Sequence, residues 1–147
     1  MKIKHYEYYV GIDPDVTKSG VALWNRLEKK LYITNLSFFE LFDYLKDLQT
    51  QNKAICAIIE AGRLNLSNWH LKSEFGAAVS SQIGKRTGAN HETEKKIEEM
   101  CIYLKIPFEL VRPTRSKLDA STFKAITKYE GRTNQDERDA AMLVFGK

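Results

Sequence analysis

The chain has 147 residues, 43% of them hydrophobic and 29% charged, with a formal net charge of +4. That describes an ordinary soluble globular chain, expected to form one domain over residues 1–147 in a cytosolic setting. No apolar run approaches the length of a membrane span, and the opening MKIKHYEYYV lacks the apolar core of a secretory signal.

In chain order, Tyr6 to Asp13 reads as a first strand, Gly20 to Trp24 as a second and Leu31 to Leu36 as a third. Their short connections, NRLEKK among them, predict an antiparallel meander. The period then changes. Ser37 and Glu40 form a capping box, and Phe38, Leu41, Phe42, Leu45 and Leu48 share the face of the helix it opens. The run Ala54-Ile55-Cys56-Ala57-Ile58-Ile59 predicts a strand buried on both faces, ending at Glu60. Residues 61 to 75 read as an irregular loop. A helical pattern runs from about Gly76 to Leu104, clearest at Ile97, Met100, Cys101 and Leu104. Phe108 to Val111 predicts a fifth strand, Ser121 to Lys128 a short helix and Asn134 to Phe145 a last one. Cys56 and Cys101 lie in apolar segments and read as reduced core residues; no CxxC or Cys/His zinc pattern occurs. His70 and His91 have no ligand-like partners and read as polar loop residues.

Strands four and five are each reached through a helix, so the right-handed crossover rule makes them parallel to strand one. The expected fold is α/β, a five-stranded mixed sheet in the order 3-2-1-4-5 with helices on both faces.

Four acids converge on that frame. Asp13 ends strand one and Glu60 ends strand four; adjacent parallel strands would bring these ends to roughly 5 Å. Open α/β sheets bind ligands beyond such ends, where the strand order reverses. In NQDERDAAML, Asp136 and Asp139 are spaced to share a helical face, and Ala140 and Ala141 would let that helix pack closely. Each acid alone is better read as a turn residue, cap or surface charge. Together they would repel and raise one another's pKa unless a cation offset them. All-oxygen coordination suits Mg²⁺ or Mn²⁺, and two ions about 4 Å apart can clamp the oxygens of an in-line phosphoryl displacement. Asp15, across Pro14 from Asp13, reads first as a turn former and second as an acid outside that shell.

The chain resembles RuvC-like Holliday junction resolvases of the RNase H-like (integrase-like) nuclease superfamily. The resemblance is carried by Gly11-Ile12-Asp13-Pro14 with Ser19-Gly20, by Ala57-Ile58-Ile59-Glu60, by Ile83-Gly84-Lys85-Arg86-Thr87-Gly88 and by Asp136-Glu137-Arg138-Asp139-Ala140-Ala141. It implies an endonuclease whose Asp13, Glu60, Asp136 and Asp139 bind two Mg²⁺ (or Mn²⁺) ions and cleave branched DNA as a homodimer. The family commonly has glycine at the position of Asp15, and a junction-contacting aromatic where Arg63 stands; Trp69, Leu64 or Leu66 are candidate stacking wedges in its place. The small RNase H-like YqgF proteins, linked to ribosomal RNA processing, share the first motif and the Asp-Ala-Ala ending. A catalytically idle DNA-binding module is the remaining alternative. Glu60 and the Ile-Gly-x-x-x-Gly segment favour the RuvC side.

The basic surplus is local. Residues 111 to 132 hold Arg112, Arg115, Lys117, Lys124, Lys128 and Arg132 against Asp119 and Glu130. Near a site acting on phosphates, such a cluster reads as a nucleic-acid surface rather than solvated lysines. Lys85 and Arg86, between two glycines, and Arg115 and Lys117, just past strand five, are the candidate DNA contacts. The dimer patch is expected on the long helix and the loop before it, with Trp69, Phe75 and Val79 supplying apolar area.

Overall fold

Alternating side chains along the two central strands divide the core into two layers, and this division positions the acids. The computed structural model describes residues 5–51, 53–64, 77–114 and 116–147, with side chains throughout except over 77–84. Among these residues β1 (Tyr8–Asp13), β2 (Ser19–Asn25), β3 (Lys30–Leu36), β4 (Ile55–Glu60) and β5 (Phe108–Val111) form one sheet in the order β3-β2-β1-β4-β5. The β1–β2 and β2–β3 pairs are antiparallel, and the β1–β4 and β4–β5 pairs are parallel. The expected 3-2-1-4-5 mixed sheet is the observed one.

One layer gathers Tyr8, Val10 and Ile12 of β1 with Ile55, Ala57 and Ile59 of β4, beneath α1 (Phe38–Thr50) and α2 (Ala77–Leu104). The other gathers Tyr9 of β1 with Cys56 and Ile58 of β4, beneath α3 (Ala120–Thr127) and α4 (Gln135–Val144). The Ser37–Glu40 capping box forms as expected, the Ser37 hydroxyl accepting from the Glu40 amide at 3.4 Å and the Glu40 carboxylate from the Ser37 amide at 3.0 Å. Leu41, Leu45 and Leu48 then face the core. Phe38 stays 37% exposed, its ring edge-on to Phe39 at 5.7 Å. Of the loop before α2, a single 3₁₀ turn at Gly62–Leu64 is described. Leu66, Trp69, His70 and Phe75, the side chain of Val79, and Arg115 lie outside the described residues.

α4 lies against β1 and β2 because the sequence leaves it room. A Cβ built on Gly11 would collide with the Ala140 carbonyl, and one on Gly20 with the Asp136 carbonyl. Both glycines admit the helix backbone directly onto the sheet. Asn134 caps α4, its side chain accepting from the Glu137 amide at 2.8 Å, while the Glu137 carboxylate takes the Asn134 amide at 3.0 Å. This second capping box fixes where the helix starts, and hence which way Asp136 and Asp139 point.

Candidate active site

Period two along β1 places Asp13 on the same face as Tyr9 and Gly11, the face that α4 covers. The same count along β4 puts Glu60 with Cys56 and Ile58 on that face. Ile12 pairs with Ile59, so the two carboxylates follow side by side at the carboxyl ends of adjacent parallel strands. Asp136, Asp139 and Ala140 lie one helical turn apart or less on α4 and meet them. Ligand oxygens of Asp13, Glu60 and Asp139 all fall within 4.8 Å of one another. Asp136 adjoins the group through a hydrogen bond with Asp13. The structure thus brings all four predicted acids to one place, three as a tight cluster and the fourth beside it.

The electrostatics of this cluster fit a cation. Asp13 has its pKa pushed up from 3.8 to about 10, by burial first, then by its hydrogen bond to Glu60 and the charges of Glu60, Asp136 and Asp139. Asp136 is also raised, through burial and the nearby charge of Asp15, against the lowering effects of Asp13 and Arg86. Acids held above their usual range ionise together when positive charge offsets them. The donors are all carboxylate oxygen, the set that suits Mg²⁺ or Mn²⁺. Lys117 supplies some positive charge, with Nζ 2.8 Å from Asp139 Oδ2 and 3.5 Å from Glu60 Oε1. The Gln135 amide donates to Asp139 Oδ1 at 2.8 Å.

The acids floor a cleft of about 430 Å³, walled by α2 and the segment after β5. Of the predicted DNA contacts, Arg86 and Lys117 line it; Lys85 is exposed on α2 but does not. Asp15 forms the expected turn, its carboxylate accepting from the Thr17 amide at 3.1 Å, and also borders the cleft. Asn90 ties the α2 wall to the same turn, accepting from the Val16 amide at 3.2 Å. His91 lies on α2 and lines the cleft beside Gly62, rather than in a loop.

Sequence reasoning missed Glu94 and the role of Arg63. Glu94 is 2% exposed, lines the cleft and pairs with Arg63 Nε at 2.6 Å; Arg63 also reaches Glu98 at 2.5 Å. This brace ties the turn after Glu60 to α2. The Glu94 carboxyl is pushed up to about 7, by burial first and then by Glu98, which together outweigh Arg63. A signal existed: the Ile97–Cys101–Leu104 stripe, run back one turn, lands on Glu94, a charge on a buried face.

A five-stranded mixed sheet of this order with helices on both faces matches the RuvC/RNase H-like fold. Two structures of Thermus thermophilus RuvC share it at a TM-score of 0.53 and 13% identity. One is in complex with Holliday junction substrate and aligns over 94% of this chain and 90% of that one; the other covers 92% and 90%. The yeast mitochondrial Holliday junction resolvase Ydc2 aligns over 92% of this chain and 76% of its own, at a TM-score of 0.38 and 14% identity. At such identities the likeness is one of fold. Neither a protein-family model nor a curated protein matches the chain.

Proposed function

We propose that the chain is a Mg²⁺- or Mn²⁺-dependent endonuclease that cleaves DNA phosphodiesters at branched structures, four-way junctions foremost. The observation that carries this reading is the convergence of Asp13, Glu60 and Asp139 within 4.8 Å, with Asp136 beside them, at the floor of an open cleft. Their fold neighbour in complex with Holliday junction substrate supports the choice of branched DNA.

In this reading Asp13, Glu60, Asp136 and Asp139 would hold the cations, which would supply a water of lowered pKa and offset the charge that develops on the phosphodiester oxygens. The chain's own residues do the rest. β1 and β4 fix Asp13 and Glu60 by their register, α4 presents its two acids, and Gln135 orients Asp139. Arg86 from α2 and Lys117 from the segment after β5 line the cleft and would contact the phosphodiester. Symmetric nicking of a four-way junction requires two such sites related by a twofold axis, so we assign the working form as a homodimer.

The test is substitution at the acids. Asp13→Asn, Glu60→Gln, Asp136→Asn and Asp139→Asn should each reduce junction cleavage by at least about 10²-fold while leaving junction affinity nearly unchanged, because phosphate contacts persist. Wild-type cleavage in any two of them would overturn the assignment.

A further inference from the structure

We propose that Lys117 competes with a divalent cation for the carboxylates of Asp139 and Glu60, so that loading the metal centre requires its ammonium group to swing away. The inference rests on the metal-centre reading above and concerns how that centre is filled. Lys117 Nζ lies 2.8 Å from Asp139 Oδ2 and 3.5 Å from Glu60 Oε1. These residues supply two of the three carboxylates whose oxygens cluster within 4.8 Å. An oxygen-coordinated cation needs those same carboxylates, and an ammonium holding them would face it as a like charge at short range. Both Asp139 oxygens already accept a hydrogen bond, Oδ1 from Gln135 and Oδ2 from the Lys117 ammonium. The charged contact is the one a cation must break.

Lys117 is built to yield. It belongs to the irregular segment between β5 and the Asp119 cap of α3, and its side chain is 41% exposed. Lys117 also borders a second hollow of about 280 Å³, but Arg112, Arg138 and Lys147 line it and would repel its ammonium there. The flexible stem therefore turns toward solvent or toward a phosphate in the cleft. The contact is a charged one between separate elements, so a cation gains the two carboxylates by displacing the ammonium.

The experiment is Mn²⁺ titration by calorimetry on the intact chain, comparing wild type with Lys117→Met, Lys117→Gln, Lys117→Arg and Arg112→Met. Lys117→Met and Lys117→Gln should bind Mn²⁺ about tenfold more tightly and gain more in melting temperature when it is added. Lys117→Arg, which keeps charge and reach, should match wild type. Arg112→Met removes the same charge from the same segment, but Arg112 makes none of the ion pairs found among the described residues, so its affinity should shift little. Unchanged or weaker binding in both uncharged variants would overturn the competition and leave the metal centre standing. Equal tightening by Arg112→Met would also overturn it, as an effect of net charge alone. No Mn²⁺ binding by any of these proteins would remove both.

Discussion

At Asp13, burial and the neighbouring acids hold a proton on a carboxyl whose ordinary value is 3.8 and whose value here is about 10. The folded chain therefore binds a proton that the unfolded chain releases over that interval. Stability must fall as pH rises from the ordinary carboxylate range toward 10. Glu94, raised from 4.5 to about 7, adds a contribution of the same sign over its narrower window. Thermal melts in chelator should show this decline, and Asp13→Asn should raise the melting temperature and remove the part above about pH 7. Added Mn²⁺ should flatten the wild-type curve, because a cation favours the ionised acids. A wild-type curve in chelator that climbs between about pH 7 and pH 9 would contradict the account of Asp13. Asp13 and Glu60 were legible because each ends a strand with a clear period, whereas Glu94, in the middle of α2, was missed. Lys117's grip on Asp139 was not legible either, because it links residues on separate elements through an irregular segment with no period to read.

Two devices among the elements keep α4 and α2 against the sheet. The first is the pair Gly11 and Gly20, which face the carbonyls of Ala140 and Asp136. Gly20→Ala should push the start of α4 off β2, costing about 1–3 kcal/mol by overpacking and weakening Mn²⁺ binding in step, since Asp136 moves with its backbone. A variant of unchanged stability and Mn²⁺ affinity would show that the helix can retreat freely. The second is the Arg63–Glu94–Glu98 brace. Arg63→Ala leaves Glu94 buried beside Glu98 without its counter-ion, so melting temperature should drop by several degrees, and more at about pH 8 than at about pH 6, where protonation relieves Glu94. Double substitution of Arg63→Met with Glu94→Met should recover part of that loss. The elements were readable from period and caps, with ends shifted by a residue or two. What the period could not show was why particular small residues are needed. Gly11 and Gly20 sit within strands where a side chain would ordinarily help, and only the approach of a helix more than a hundred residues later explains them.

For the whole molecule, the strand order followed from connection lengths and handedness, which act along the chain, whereas association with a second copy leaves a weaker trace. The dimer patch was expected on the long helix and the loop before it; of its named residues, Trp69, Phe75 and the side chain of Val79 lie outside those described. Among the described residues, two strongly exposed aromatic side chains, Phe39 at 78% and Tyr103 at 76%, line one hollow between α1 and the last turns of α2. Lys96 and Glu99, paired with each other at 2.8 Å, border the hollow that Phe38, Phe42 and Met100 form there, and the proposed homodimer would use this face. The double variant Phe39→Ser with Tyr103→Ser should shift the chain toward monomer in sedimentation and cut junction affinity, while its melting temperature falls little. If the mass in solution and junction affinity are unchanged, the dimer face lies elsewhere. Junction binding by wild type should also weaken steeply with salt, given the basic side chains after β5.

The most direct measurement is single-turnover cleavage by the purified chain with Mg²⁺ or Mn²⁺, on matched four-way junction, flap, linear duplex and RNA substrates. The account predicts cation-dependent cuts in the junction, placed symmetrically on two strands, at rates at least about 10²-fold above those on linear duplex, and none in chelator. Cleavage that persists in chelator, or none of any substrate with either ion present, would contradict the assignment of Asp13, Glu60, Asp136 and Asp139 as a metal centre for phosphodiester hydrolysis.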